Sequence, residues 1–253
     1  MMDFNAVYVL WLREMKRFLR ARSRVVGVLI MPLFFLLGLG LGLGSLIHLS
    51  SGSSYLQFLA PGIIAMSLMS TAVSSGFSVI WDRQFGFLKE IMVTPNSRTS
   101  IVLGRAAGGS TTALVSATAV SVIALLIGFQ VTVSPMIIVA IVFMLLIALV
   151  FISLGLILAS VISDLQGFGL ITNFFTLPLL FLSNSIFPIS TLPGIVQDIA
   201  YINPLTYGVD GIRGSLGGAN ILPLTTDFVV LFCVVAVMIA IAAYAFNKSE
   251  VGQ

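Results

Sequence analysis

Charge is what this 253-residue chain has least of: 12 basic and 9 acidic residues make up 8% of it, against about 25% in an ordinary soluble domain. With 58% of the residues apolar, so few charges cannot cover a globule in water. A soluble fold, a disulfide scaffold and a disordered chain are all excluded. Residues 25–81, 106–163, 165–197 and 228–247 carry no Asp, Glu, Lys or Arg at all. Runs of that length match or exceed the roughly 20 apolar residues that cross a bilayer, and two are long enough to cross it twice. The other scarcities exclude chemistry. One cysteine, Cys233, leaves no intrachain disulfide. One histidine, His48, leaves no His-Glu-x-x-His metal site. A Ser–His dyad with Ser110 would have to bridge about 30 Å of hydrocarbon, where hydrogen-bond reach is about 3 Å. No Gly-x-x-x-x-Gly-Lys-Ser/Thr loop occurs, so the chain does not itself bind ATP in that manner.

What is present is a polytopic membrane protein, all-α because lipid offers backbone polar groups no partner. Six spans are read, at about 25–48, 58–80, 106–129, 135–161, 168–187 and 224–246, within a transmembrane domain of residues 25–246. Residues 1–24 and 247–253 flank it, the latter as a cytoplasmic tail. The first apolar stretch is too long for a signal peptide, and no small-residue cleavage pattern follows it. With the N-terminus inside, eleven basic residues fall on the cytoplasmic side: Arg13, Lys16, Arg17, Arg20, Arg22, Arg24, Arg83, Lys89, Arg98, Arg105 and Lys248. Only Arg213 falls outside. Both termini are therefore expected in the cytoplasm, in a plasma or inner membrane. The same bias accounts for a pI near 9.3 without nucleic acid as a partner.

Three segments outside the spans carry information. Residues 4–20 alternate at helical spacing, Phe4, Val7, Tyr8, Trp11, Met15 and Phe18 on one face and Arg13, Lys16, Arg17 and Arg20 opposite. Such an amphipathic helix lies in the cytoplasmic interface, aromatic face in lipid and basic face toward anionic headgroups. The cytoplasmic loop 81–105 contains Phe87–Val93, a short helix stopped before Pro95, with Ser97 able to cap the next one. It exposes Phe87, Leu88, Ile91 and Met92 and is too short to stand alone. It lies on the membrane surface or docks on a soluble partner. The extracellular segment 188–223, broken by Pro188, Pro193, Pro204 and Pro223, has room for short helices at 193–201 and 205–216. The first is apolar enough to dip into the outer leaflet. On the second, Asp210 and Arg213 stand three apart, a pairing worth a few tenths of a kcal/mol.

Glycines 38, 40, 42 and 44 lack the spacing of a dinucleotide loop; inside a span, Gly38/Gly42 and Gly40/Gly44 permit close helix contact. Pro32 is expected to kink the same span. No ionisable residue occupies the middle of any span, which weighs against a self-sufficient ion-coupled carrier. Uncharged polar groups are there instead. Ser67, Ser70, Thr71, Ser74, Ser75 and Ser78 recur on one face of span two, and Asn173 and Thr176 share a face of span five. Either they pack helices together or they line a transport pathway. No catalytic, cofactor-binding or metal-ligating set emerges.

Residues 82–105 then carry a resemblance. Asp82-Arg83, Gly86-Phe87-Leu88-Lys89-Glu90, Val93-x-Pro95, Ser97-Arg98 and Gly104-Arg105 are similar to the cytoplasmic coupling loop of type-2 ABC exporter permeases, most nearly the drug-resistance and nodulation-factor branch. Asn203-Pro204-Leu205-Thr206-Tyr207, followed by Asp210 and Arg213, is similar to that family's stretch before the last span. Asp82-Arg83 stands where many relatives place Glu-Arg, which keeps the charge. The resemblance covers essentially the whole chain. It implies a half-transporter: two copies form the pathway, and a separate ATPase subunit holds ATP and Mg. Phe85, Gly86, Phe87, Leu88, Lys89, Glu90 and Ile91 are implied to seat on that ATPase, with the amphipathic helix bracing the loop. A non-transporting membrane anchor for an ATPase and an ion-coupled carrier are the alternative readings.

Overall fold

A computed structural model describes residues 4–42, 44, 54–85, 98–132 and 134–251. Among these every regular element is helical. In chain order they are α1 (Phe4–Arg20), α2 (Arg22–Phe35) continuing into a π-helical stretch Leu36–Gly42, α3 (Tyr55–Ser74), α4 (Gly76–Gln84) and α5 (Arg98–Ile127). Then follow α6 (Met136–Val161), α7 (Leu165–Phe181), a 3-10 turn Ile189–Thr191, α8 (Gly194–Ile202), α9 (Pro204–Ser215) and α10 (Leu224–Val251). Four stretches are long and apolar enough to cross a bilayer: Tyr55–Asp82, Leu103–Ile127, Met136–Val161 and Leu224–Ala245. Two shorter apolar helices, Val26–Gly42 and Leu165–Phe181, accompany them.

The core forms where α3 and α6 cross, with α5, α9 and α10 around them. Phe143, Ile147 and Phe151 of α6 and Leu59, Ile63, Leu68 and Met69 of α3 are fully buried. Small residues set how close these helices come. A Cβ on Gly76 would lie 2.5 Å from the Gly155 carbonyl oxygen, and one on Gly155 would lie 2.6 Å from that of Val73. The backbones therefore touch, the contact on which helix association in lipid depends. At the same level the Ser75 hydroxyl donates to the Ala72 carbonyl at 2.7 Å, and the helix is interrupted between α3 and α4.

Helix ends follow local chemistry. Asp164 caps α7 by accepting from the Gly167 amide. Asn203 caps α9 by accepting from Leu205 N at 3.0 Å, with Pro204 at the first helical position. Below Pro178, α7 ends at Phe181, and Asn184 turns the chain with φ +58°, a conformation asparagine tolerates better than most residues. Its carboxamide oxygen accepts from Ile189 N at 3.1 Å. The short helices expected at 193–201 and 205–216 are α8 and α9. α9 sinks into the core, while α8 leaves Ile195, Ile199 and Ile202 exposed.

Three expectations change. Of the alternating glycines, Gly40 alone packs on another helix, where a Cβ would stand 2.9 Å from Leu56 Cδ1; Gly38 has open space around it. The aromatic face of α1 is divided: Phe4 and Tyr8 are exposed, but Phe18 is buried and Trp11 packs on α5. Gly104 and Gly108, one turn apart, are the reason. Cβ atoms there would meet Leu10 Cβ at 2.9 Å and Glu14 Cβ at 2.8 Å, so α1 lies against a groove in α5. Finally, Asp210 and Arg213 are buried, not a surface pair.

Candidate functional site

α4 leads into the loop and α5 leads out of it, and a buried ionic cluster joins their ends to α1. Asp82, on the last turn of α4, is 6% exposed, and Arg105, on the second turn of α5, is 7% exposed. Arg105 Nη2 donates to Asp82 Oδ2 at 2.8 Å, and its Nη1 donates to the Ser78 hydroxyl at 3.4 Å. The other Asp82 oxygen accepts from Arg13 Nη2 of α1. A charge taken out of water costs several kcal/mol unless it is well paired. Here one carboxylate serves two guanidiniums, and Glu14 of α1 adds a second negative charge that acts on Arg105. Beside the cluster, Trp11 Nε1 donates to Thr111 Oγ1 at 3.0 Å. α1, α4 and α5 are thereby fastened together where the loop begins and ends.

Sequence reasoning assigned Arg13 to lipid headgroups, counted Arg105 among the cytoplasmic basic residues and read Asp82 and Arg105 as parts of a motif. The available signal was position: each of the latter directly borders a long charge-free run, where burial against a partner is the alternative to water.

Of the loop residues implied to meet an ATPase, Phe85 is described. It is 72% exposed and stacks on Trp81 with ring centroids 5.1 Å apart. Gly86, Phe87, Leu88, Lys89, Glu90 and Ile91 lie outside the described residues, as do the expected helix Phe87–Val93, Ser97 and His48.

The hydroxyl face of span two divides by depth in the protein. Ser67, Thr71, Ser75 and Ser78 are buried within the chain. Among the described residues Ser67 and Thr71 find no hydrogen-bond partner for their hydroxyls, and Ser78 donates to the Ser75 carbonyl at 2.7 Å. Ser70 and Ser74 instead border a groove of about 520 Å³ shared with Met31 and Pro32 of α2 and with Phe77 and Trp81. On α7, Thr176 donates to the Thr172 carbonyl at 2.9 Å, whereas Asn173 is exposed.

A second buried cluster closes the other end. Arg213 Nη2 donates to the carbonyls of Asn184 at 2.7 Å and Phe58 at 3.1 Å, and its guanidinium carbon lies 4.1 Å from the centre of the Phe58 ring. The approach to Asp210 is only 4.0 Å. Asp210 is held mainly by the amides of Ile221 and Leu222, at 2.8 and 2.9 Å. Burial lowers the Arg213 pKa to about 10, against the opposing pull of Asp210. Burial raises that of Asp210, countered by the two amides and by Arg213. Among the described residues no group of three His, Cys, Asp or Glu side chains could hold a metal.

The family model described as ABC-2 type transporter matches residues 5–216. The inner membrane transport permease YadH of Escherichia coli K12 is 30% identical over 242 residues, covering 89% of this chain and 88% of its own. Nodulation protein J of Rhizobium meliloti is 30% identical over 215 residues, covering 84% and 81%. With the match running from α1 through α9, and with membrane-length apolar helices beside buried ionic clusters, the chain belongs to the ABC-2 type transporter family and is a membrane transport permease.

Proposed function

We propose that this permease is the transmembrane half of an ATP-driven exporter. Two copies form the pathway, and a separate ATPase subunit, holding ATP and Mg, docks beneath them on Phe85–Ile91. The observation that carries this reading is Asp82 bridging Arg13 and Arg105. A loop docked on a partner moves spans only if its ends are fixed to them, and this cluster fixes both ends and couples them to α1. Binding and hydrolysis of ATP would then rock α1, α4 and α5 as one unit. The groove beside Ser70 and Ser74, which Arg17 of α1 also lines, is the stretch of the hydroxyl face best placed to meet substrate.

Six crossings, with both termini and the loop in the cytoplasm, are part of the proposal. The connectivity supports them. α1 lies beside Asp82 and Arg105, while Tyr55 and Phe58 at the start of α3 bond to the chain at Ile186 and to Arg213. α1 and the start of α3 therefore lie at opposite ends of the bundle. α7 runs between the same two ends: Ser163 accepts from Gln84, and Asn184 accepts from Arg213.

Reconstitution with a P-loop ATPase that co-purifies with this chain tests the proposal. Phe87→Asp or Leu88→Asp is expected to abolish ATP-driven export at least tenfold while membrane insertion is unchanged. Unaltered ATPase co-purification and export in both variants would overturn it. Transport driven by an ion gradient alone would establish the carrier reading, and a protein that recruits ATPase but moves nothing would establish the anchor.

A further inference from the structure

The first turn of α10 holds a carboxyl that neither ionic cluster accounts for. Asp227 is fully buried, and neither oxygen of its side chain has a hydrogen-bond partner among the described residues. Its place follows from how α10 runs beside α9. A Cβ on Gly214 would stand 3.0 Å from Leu224 Cδ2, and one on Gly208 would stand 3.8 Å from Leu231 Cδ2. Asp227 lies three residues beyond Leu224 and four before Leu231, so it shares their face. It therefore meets α9 between the two glycines, the stretch that carries Asp210, whose charge acts on it.

The charges around it decide which form the carboxyl takes. α10 packs on α6, α9 and α5. α6 has no titratable side chain, and the only ones in α5, Arg98 and Arg105, stand at its Asp82 end. α9 supplies Tyr207, Asp210 and Arg213. The Tyr207 hydroxyl is spent on the Tyr201 carbonyl at 2.7 Å. Arg213 gives Nη2 to two carbonyls and approaches Asp210 at 4.0 Å. Asp210 and Arg213 already balance, so an ionised Asp227 would leave one uncompensated negative charge out of water. The start of a helix favours an anion, but no first-turn amide of α10 donates to this one. An unpaired carboxylate is far more costly to bury than the neutral acid, and such a group keeps its proton instead. Of the two carboxyls, Asp210 has donors and Asp227 has none, so the proton belongs on Asp227.

We infer that Asp227 is a proton-binding site that latches α9 to the start of α10. While it is neutral, the charge of Asp210 is free to hold the amides of Ile221 and Leu222, at 2.8 and 2.9 Å, and the connection between the two helices is pinned. Loss of the proton sets a like charge against Asp210 in a desolvated place, and the latch opens. Alkaline medium at this end of the bundle thus loosens the entry to the last long helix. The inference needs only α9 and α10, and stands whether or not an ATPase drives the chain.

The test uses the full chain in nanodiscs. The infrared difference between parent and Asp227→Asn at neutral pH is expected to show the carbonyl stretch of a neutral carboxylic acid. A carboxylate band in its place would overturn the proton site. Hydrogen exchange reads the latch. Corrected for intrinsic exchange, protection of the Ile221 and Leu222 amides is expected to fall at least tenfold between about pH 6 and about pH 9 in the parent, and to stay level in Asp227→Asn. Equal losses in both would overturn the latch. Stability supplies a third reading. Above about pH 4 the unfolded chain has released a proton that the folded chain still holds, so this carboxyl makes stability fall as pH rises. The unfolding temperature of Asp227→Asn, relative to the parent, is expected to climb with pH, and a constant difference would mean that Asp227 is charged throughout. Asp227→Ser takes the place of the amide variant if that one does not fold, and the parent's own loss of protection tests the latch without either.

Discussion

Asp82 holds two guanidiniums at a point almost closed to water, and this determines what its loss would do. Replacing it with Asn keeps the shape and removes the charge, leaving buried Arg105 without its hydrogen-bonded counter-ion and with only the charge of Glu14 acting on it. Breaking a buried pair from one side costs about 3–5 kcal/mol, toward the lower end here because the Arg13 side chain remains 31% exposed. Asp82→Asn should lower the thermal unfolding temperature in detergent and abolish ATP-driven export. The double variant Asp82→Asn/Arg105→Met should unfold at a higher temperature than the single one, since it removes the stranded charge, yet still fail to export. Recovery of export would mean that the cluster serves stability alone. Arg213 differs because its main partners are carbonyls. With a pKa near 10 it stays charged at neutral pH, so its bonds to Asn184 and Phe58 persist across the physiological range. Arg213→Lys keeps the charge but loses the planar fork and the stacking over Phe58. The expected cost is about 1–2 kcal/mol, read as a lower unfolding temperature.

Among the elements, α1 is the one whose environment departs furthest from its pattern. Its helical period was plain in the residues, and α1 covers Phe4–Arg20. Which face meets protein was not, because an aromatic face suits lipid and a groove equally well. The deciding information sits some 90 residues away in Gly104 and Gly108, whose meaning depends on what packs over them. Gly108→Leu should lift α1 from α5 and separate Trp11 from Thr111. ATP-driven export should fall severalfold with membrane insertion intact, and protease should cut within residues 4–20 faster than in the parent chain. Unchanged proteolysis would mean that α1 is held from elsewhere. The same contrast runs through the molecule. Apolar length pointed to the four stretches long enough to cross a bilayer, and the prolines bounded α8 and α9. The Asp82 cluster escaped notice because it joins residues that are distant in sequence, and of the second cluster only the Asp210 and Arg213 pair, three apart, was legible. The split of the span-two hydroxyls, Ser70 and Ser74 outward and Ser67 and Thr71 inward, escaped because all share one helical face and differ only in which neighbour covers them.

For the whole molecule, the side of the membrane on which the loop emerges depends on its two shortest apolar helices. If only the four long helices crossed, residues 86–97 would lie opposite the N-terminus. If α2 and α7 also cross, the loop, the N-terminus and the C-terminus share one side. Hydropathy alone leans toward neither, since Leu165–Phe181 supplies about 26 Å of helix for a hydrocarbon layer of about 30 Å. Three physical facts favour six crossings. α1 is bound by Arg13 to the residues that bracket the loop, which requires both to be at one end of the bundle. The start of α3 lies at the opposite end, where Tyr55 bonds to Ile186 at 2.9 Å. Six crossings also put eleven of the 12 basic residues on one side, the bias that orients membrane proteins. In a Cys233→Ser background, Met92→Cys should react with an impermeant maleimide in inside-out vesicles and be protected in right-side-out ones, with Gly218→Cys showing the reverse. A cysteine added after Gln253 should follow position 92. Reaction of positions 92 and 218 from the same side would remove the loop from reach of any cytoplasmic ATPase, and the coupling role of Asp82, Arg13 and Arg105 would fall with it.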